Sequence, residues 1–176
     1  MKKIIILLLL ISFSWALQAQ ENLKYQKPPK EILELVDAPL APSVLIDDKG
    51  DNVVLIYRDP YKSISELSEE ELRLGGLRIN PKTNIGSRTR YYNDIKTKKT
   101  RKDEIKEIKG LPEAARLANF NWSPDQKMIA FTHTTSSGVE IWVLNINEAR
   151  AARLMKGIAN GNMGNPVEGK KDNTGL

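Results

Sequence analysis

The feature that most constrains the fold is the stretch over residues 119–131, where an aromatic strand end precedes a Ser-Pro-Asp turn and a short apolar strand. Pro124 fixes φ at the first central position of a tight turn, and Asp125 can accept hydrogen bonds from nearby backbone amides. Lys127 can stay in solvent while the residues after it enter a sheet. The stretch therefore predicts a β-hairpin.

The hairpin belongs to a longer series of predicted strands. Four strands are expected in succession, at residues 116–121, 127–133, 139–145 and 151–155. Four consecutive antiparallel strands in roughly 40 residues are typical of one β-propeller blade. Earlier β-rich runs at 43–46, 52–57, 75–80, 91–97 and 104–109 predict a second blade, interrupted by an acidic surface helix over 63–74. The predicted fold class is all-β, a partial β-propeller of about two four-stranded blades over residues 43–166.

The N-terminus has the composition of a secretory signal. Lys2 and Lys3 precede an apolar run over residues 4–11, and Ala19 supplies a small residue for cleavage. The run is shorter than the roughly 20 residues that span a bilayer. We therefore expect a signal peptide at residues 1–19, an exported protein (periplasmic or extracellular) and no membrane association after cleavage. Residues 20–42 are polar and rich in proline, which predicts an extended segment with at most two helical turns at 31–36.

Composition excludes several classes of site and partner. The absence of cysteine excludes disulfides and thiolate metal sites. The formal net charge is +5, two of the lysines lie in the predicted signal peptide, and the basic run at 96–102 alternates into acidic residues. Without a recognition motif or an aromatic stacking platform, this charge predicts no nucleic-acid partner.

No constellation in the sequence provides catalysis. A serine hydrolase needs a nucleophile on a Gly-x-Ser-x-Gly elbow, which the chain lacks, and a histidine base. His133 is the only histidine; it is expected at a strand end, where nothing presents it with a nucleophile. One histidine without cysteine also cannot build the usual zinc site. The sequence predicts no catalytic, cofactor-binding or metal residue, and no cofactor.

Three other groups of residues have competing interpretations. Glutamates 69–71 can form a cation site, but a solvated helix face is favoured. Residues 157–164 are glycine-rich but lack the Lys-Ser/Thr of a phosphate loop. Arg88 and Arg90 can bind a carboxylate by forked hydrogen bonds, whereas inter-strand ion pairs or a solvated edge are the alternative.

Six short sequence segments, in this order along the chain, resemble the N-terminal part of secreted prolyl oligopeptidase family proteins, in the branch that includes glutamyl endopeptidases. The segments lie at residues 31–39, 74–81, 87–92, 109–112, 122–125 and 141–144. The resemblance covers roughly residues 23–166. It implies an N-terminal β-propeller that restricts access to a hydrolase domain with a Ser-Asp-His triad and helps to position the peptide substrate. No triad position has a counterpart here, so the resemblance transfers no catalytic residue.

The sequence departs from that pattern after Pro166. Another apolar, tryptophan-bearing strand is expected there, but residues 167–176 are polar and glycine-bearing, which predicts a divergent, disordered tail from a frame change, a truncation or a natural end. The predicted function is an inactive propeller fragment of a secreted serine peptidase, completed by a missing hydrolase domain. The alternative is a stand-alone periplasmic module that binds a protein or peptide.

Overall fold

The computed structural model describes residues 26–155, 159–162, 164–172 and 175. The chain divides into two compact units, Met1–Ala38 and Pro39–Leu176. The described part of the first unit contains helix α1 (Lys30–Val36), which confirms the helical turns predicted at 31–36. Within α1 an exposed ion pair joins Lys30 to Glu34 one turn later, and no residue is buried. The predicted signal peptide lies outside the described residues.

Two four-stranded antiparallel sheets dominate the second unit. The first sheet has the order β1-β2-β6-β7 and contains β1 (Ser43–Ile46), β2 (Asn52–Tyr57), β6 (Asp94–Lys99) and β7 (Ile105–Glu107). The second sheet has the order β11-β10-β9-β8 and contains β8 (Leu117–Trp122), β9 (Met128–Thr134), β10 (Val139–Asn145) and β11 (Arg150–Met155). Each prediction of a strand in these two sheets is confirmed to within three residues at its ends.

A third sheet is inserted between β2 and β6. It follows helix α2 (Ile64–Leu67) and has the order β3-β4-β5, with β3 (Leu72–Leu74), β4 (Leu77–Asn80) and β5 (Ile85–Gly86). The prediction of one helix over 63–74 was therefore wrong after its first turn. Gly75 and Gly76 both have positive φ, which closes the β3–β4 hairpin and takes the preceding leucines into a strand. We call this the inserted sheet.

The main hydrophobic core lies between the first and second sheets. Alternate residues of β9, such as Ile129 and Phe131, are fully buried and pack in one cluster with Val54 and Ile95 of the first sheet. A row of rings runs through the cluster: Phe131 stacks on Phe120 at 5.6 Å and on Trp142 at 6.5 Å between ring centroids. Such aromatic contacts add to the hydrophobic gain from burial.

The turn that the sequence predicts at 123–125 is present. The backbone N–H of Gln126 donates to the carbonyl oxygen of Ser123 at 2.9 Å, which closes a tight turn with Pro124 and Asp125 at its centre. The Asp125 carboxylate accepts from the Lys127 backbone N–H at 3.2 Å, as predicted, and Lys127 is exposed. The turn therefore joins β8 to β9 in the manner expected from the sequence.

The architecture is consistent with the predicted all-β class. The described residues contain two short helices and three antiparallel sheets, none of which closes on itself. The blade arrangement and the domain boundaries stay predictions.

Candidate functional site

Two adjoining cavities meet at Arg116, which directly precedes β8. The larger has a volume of about 770 Å³ and the smaller about 660 Å³. Ser65, Glu69, Ala114 and Arg116 line both of them. We call the pair of cavities the Arg116 groove.

The Arg116 guanidinium is held from three sides. Its Nη1 and Nη2 atoms lie 2.9 Å and 3.3 Å from the two carboxylate oxygens of Glu69, which makes a forked pair. The Tyr91 ring lies against the guanidinium, 4.4 Å from Cζ to the ring centroid. The Glu66 carboxylate is 3.8 Å from Nε, too far for a hydrogen bond. Arg116 is therefore fixed in place with one N–H unsatisfied.

The short helix α2 places the two glutamates. Ser63 and Glu66 form a reciprocal capping box, in which each side chain accepts from the other residue's backbone N–H at 3.1 Å. This box stabilises the start of a single helical turn that has no buried residue. Glu66 therefore lies within the single turn of α2, and Glu69 lies two residues after its end.

Buried polar atoms without partners concentrate in the smaller cavity. Among the described residues, buried side-chain polar atoms of Thr83, Arg116 and Asn162 have no hydrogen-bond partner, and Thr83 and Arg116 belong to its lining. Thr83 is almost completely buried. A buried polar group without a partner costs about 1–3 kcal/mol.

The larger cavity carries cations and aromatic rings. Arg58 and Arg90 line it, and neither forms an ion pair in the part of the chain that the structure describes. Tyr61, which is highly exposed, and Tyr92 lie on the same lining. Of the two arginines considered from the sequence, Arg90 reaches the groove, whereas Arg88 is exposed and lies outside its lining. Neither arginine forms an inter-strand ion pair among the described residues, and both are exposed, which agrees with the alternative of a solvated edge.

His133 occupies a structural position in β9. Its Nδ1 accepts the backbone N–H of Arg116 at 3.3 Å, and its ring meets the Trp142 ring edge-on at 6.2 Å. Burial lowers the pKa of His133, so the imidazole is neutral at pH 7. Within the described residues, no hydroxyl group donates to either ring nitrogen. This geometry aligns β8 with β9 and offers no nucleophile–base pair.

A buried carboxylate lies opposite His133 in the neighbouring strand. Glu140 accepts from Trp142 Nε1 at 2.9 Å and from Arg153 Nη1 at 3.0 Å. Burial alone would raise the pKa of Glu140, but these hydrogen bonds hold it below its ordinary value. The carboxylate is therefore ionised and ties β10 to β11.

The glutamates at 69–71 do not form the predicted helix face, because α2 ends at Leu67. Glu71 lies before β3 and accepts from Ser87 Oγ at 2.6 Å, Arg78 Nη1 at 2.6 Å and Arg73 Nε at 3.0 Å. The Ser87 hydrogen bond and the two arginines lower the pKa of Glu71 to about 2. Glu71 is thus the polar centre of the inserted sheet, and its spacing from these partners was not recognisable in the sequence.

Neither a cluster of metal-ligand side chains nor a membrane-spanning helix is found among the described residues. No three acidic or histidine side chains among them converge as cation ligands, and none of their helices has the length and apolar character for a bilayer crossing. The glycine-rich run at 157–164 lies partly outside the described residues. Its Gly161 forms a parallel bridge with Ile85, and an added Cβ would lie 3.0 Å from Ile85 Cγ1. A side chain at this position would therefore press on Ile85 unless the isoleucine shifts.

Sequence comparison finds similarity to two plant proteins. The chain is 30% identical over 142 residues to a probable chloroplastic glutamyl endopeptidase of Oryza sativa subsp. japonica, covering 75% of this chain and 15% of that protein. It is 29% identical over 139 residues to a probable chloroplastic glutamyl endopeptidase of Arabidopsis thaliana, covering 74% and 14%. The chain thus spans about 15% of the length of these curated relatives. No protein-family profile and no solved structure matches the chain.

Proposed function

We propose that this chain is an exported, propeller-type scaffold portion of a serine peptidase in the prolyl oligopeptidase family, close to the glutamyl endopeptidases. The observation that carries the proposal is the 30% identity over 142 residues to a peptidase-named protein. The strand order supports it, because β8 to β11 are adjacent in both sequence and space, as in a propeller blade. In this proposal the first and second sheets are blades and the hydrolytic centre lies in another part of the protein.

The chain by itself is expected not to cleave peptides. His133 is buried and already accepts a backbone N–H, and among the described residues no serine is hydrogen-bonded to it. In the test, the purified chain is incubated with a fluorogenic glutamyl peptide and the rate of cleavage is measured. The His133→Ala variant is the matched control. Equal, negligible turnover in both proteins is expected. Turnover that a serine-directed inhibitor abolishes, and that the variant lacks, would refute the proposal.

Export and completion are tested separately. If residues 1–19 are a signal peptide, N-terminal sequencing of the protein recovered outside the bacterial cytoplasm should begin at Gln20. Co-expression with a separate hydrolase domain of a glutamyl endopeptidase should raise the soluble yield of both partners. An uncleaved N-terminus contradicts export, and unchanged yields contradict complementation.

The Arg116 groove favours a second candidate function, a module that binds acidic peptides. Arg58 and Arg90 can pair with carboxylates, and the exposed Tyr61 ring can pack against a peptide. Fluorescence anisotropy with a labelled Glu-containing peptide measures such binding. Arg90→Gln should weaken it at least about threefold, whereas Arg88→Gln, a neighbouring arginine outside the lining, should leave it unchanged. Equal effects of both variants exclude the groove as the peptide site.

A further inference from the structure

The second sheet has two apolar faces with different neighbours. One face carries Ile129 and Phe131 into the main core beside the first sheet. On the opposite, outer face, Ala130 and Ile141 form a separate small cluster with Val167, which is 3% exposed. In the sequence, Val167 comes after β11, the last strand of the sheet. A segment after β11 therefore shields a face that the first sheet does not reach.

Residues 159–162 and 164–170, which we call the outer cover, contact several elements of the second sheet. The Asn121 side chain of β8 donates to the Val167 carbonyl oxygen at 3.2 Å, and the Ala159 backbone N–H donates to the Val139 carbonyl oxygen of β10 at 3.3 Å. An added Cβ at Gly169 would lie 3.1 Å from Pro124 Cδ in the β8–β9 turn. The outer cover is thus attached along the sheet at three places.

The shielding by the outer cover is thin. A cavity of about 260 Å³ remains between it and the sheet, lined by Met128, Val143 and Leu154 on the sheet side and by Gly169 on the other. Leu154 is 60% exposed and Met128 is 44% exposed. Fully buried residues fill the inner face of the same sheet, so the two faces differ in how firmly they are packed. Val167 is the fully buried apolar anchor of the described part of the outer cover.

The outer side of the outer cover is charged. Glu168 and Lys170 are exposed, as is Lys171 directly after them. The segment therefore replaces an apolar sheet surface by a charged one, which is how natural proteins prevent unwanted sheet association. Without it, each copy of the chain would present the same apolar face, and identical faces can pair about a two-fold axis.

We propose that the outer cover is an intramolecular guard that prevents two copies of this chain from pairing through the outer faces of their second sheets. This inference does not depend on the peptidase proposal. Val167→Asp in the full chain introduces a charge into the apolar cluster and displaces the outer cover. In sedimentation experiments over a range of protein concentrations, the dimerisation midpoint is the concentration at which half of the chains are dimers. It should be at least about tenfold lower for Val167→Asp than for the unchanged chain, and this ratio corresponds to about 1.4 kcal/mol. Val44→Asp, the same change at a half-exposed valine of β1, should not move the midpoint.

A rescue variant identifies the face that associates. Leu154→Lys adds a charge to the outer face, so in the Val167→Asp background it should return the midpoint to the starting value. Association that Leu154→Lys does not reverse comes from another surface and overturns the proposal. An unchanged midpoint in Val167→Asp also overturns it, and this result is expected if residues 167–176 are disordered as the sequence predicts.

A milder variant decides the question if Val167→Asp fails to fold. Asn165 is exposed, and its Oδ1 accepts the Val167 backbone N–H at 3.1 Å. Asn165→Ala removes this bond without touching the core. One hydrogen bond of about 1 kcal/mol is a ratio of about fivefold in each copy, and because both copies must open, the midpoint should fall by at least about fivefold. No change in the midpoint of a folded Asn165→Ala protein refutes the guard.

Discussion

Phe131 is the residue on which the packing of the two large sheets depends most. Its ring is fully buried and stacks on Phe120 at 5.6 Å and on Trp142 at 6.5 Å between ring centroids. Replacing such a ring by alanine removes its transfer free energy and leaves a cavity, at a cost of about 3–5 kcal/mol in the free energy of unfolding. A domain has only about 5–15 kcal/mol in total. Phe131→Ala should therefore leave little stability.

Urea denaturation followed by tryptophan fluorescence measures this loss. With a denaturant slope of about 1–3 kcal/mol/M, Phe131→Ala should lower the midpoint by about 1–5 M. Phe131→Leu retains most of the volume but loses both ring contacts, so a smaller cost of about 1–3 kcal/mol is expected. Met128→Ala in the same strand, on the opposite face and 44% exposed, is the matched control and should cost less than Phe131→Leu.

The comparison of β9 variants can refute the packing argument. If Met128→Ala destabilises the chain as much as Phe131→Ala, the two faces of the second sheet contribute equally and the main core is not the one described. If Phe131→Ala costs less than about 1 kcal/mol, the first and second sheets do not pack through this ring.

Two further predictions concern the polar clusters. Arg116→Ala loses the forked pair with Glu69 and the contact with the Tyr91 ring. Because the Arg116 and Glu69 side chains are about a quarter to a third exposed, the free energy of unfolding should fall by only about 1–2 kcal/mol in the same urea assay. An unchanged urea midpoint would show that the Arg116 groove is not held by this residue. The folded pKa of Glu71, about 2, lies below its ordinary value of 4.5, so the stability it contributes is present above pH 4.5 and is lost as pH falls towards 2. Ser87→Ala should raise the pKa of Glu71 in an NMR titration, and an unmoved value would show that the Ser87 hydrogen bond does not exist in solution.

Local patterns predicted the two large sheets because their strands and turns are encoded by neighbouring residues. The β8–β9 turn needs only proline and aspartate in the right order, and β2 is a continuous apolar run. In the inserted sheet, β4 overlaps the strand predicted at 75–80, but β3 was missed because Leu72 and Leu74 are exposed and fit an amphipathic helix as well as a strand. The two glycines that follow decide between these alternatives by closing a hairpin.

The candidate site could not be derived from the sequence because its parts come from distant segments. Arg116 and Glu69 are 47 residues apart and share no motif. The sequence places His133 near a strand end, but its role in aligning β8 with β9 depends on a backbone N–H that composition cannot reveal. The interpretation of glutamates 69–71 as a helix face was wrong. Glu69 and Glu70 are exposed as expected, but the ion pairs of Glu69 and Glu71 with arginines of other elements depend on tertiary structure.

The position of the inserted sheet has a consequence for how the chain folds. Strand β2 ends at Tyr57 and its partner β6 begins with Asp94, so their pairing must close a long loop before any contact forms. The second sheet needs no such closure, because each strand pairs with its immediate successor. Local pairing is faster than distant pairing. During synthesis the first sheet is therefore incomplete, and the apolar side chains of β2 stay in water, until residues 94–99 have been made. The second sheet, which is made later, then provides the apolar face against which the first sheet packs.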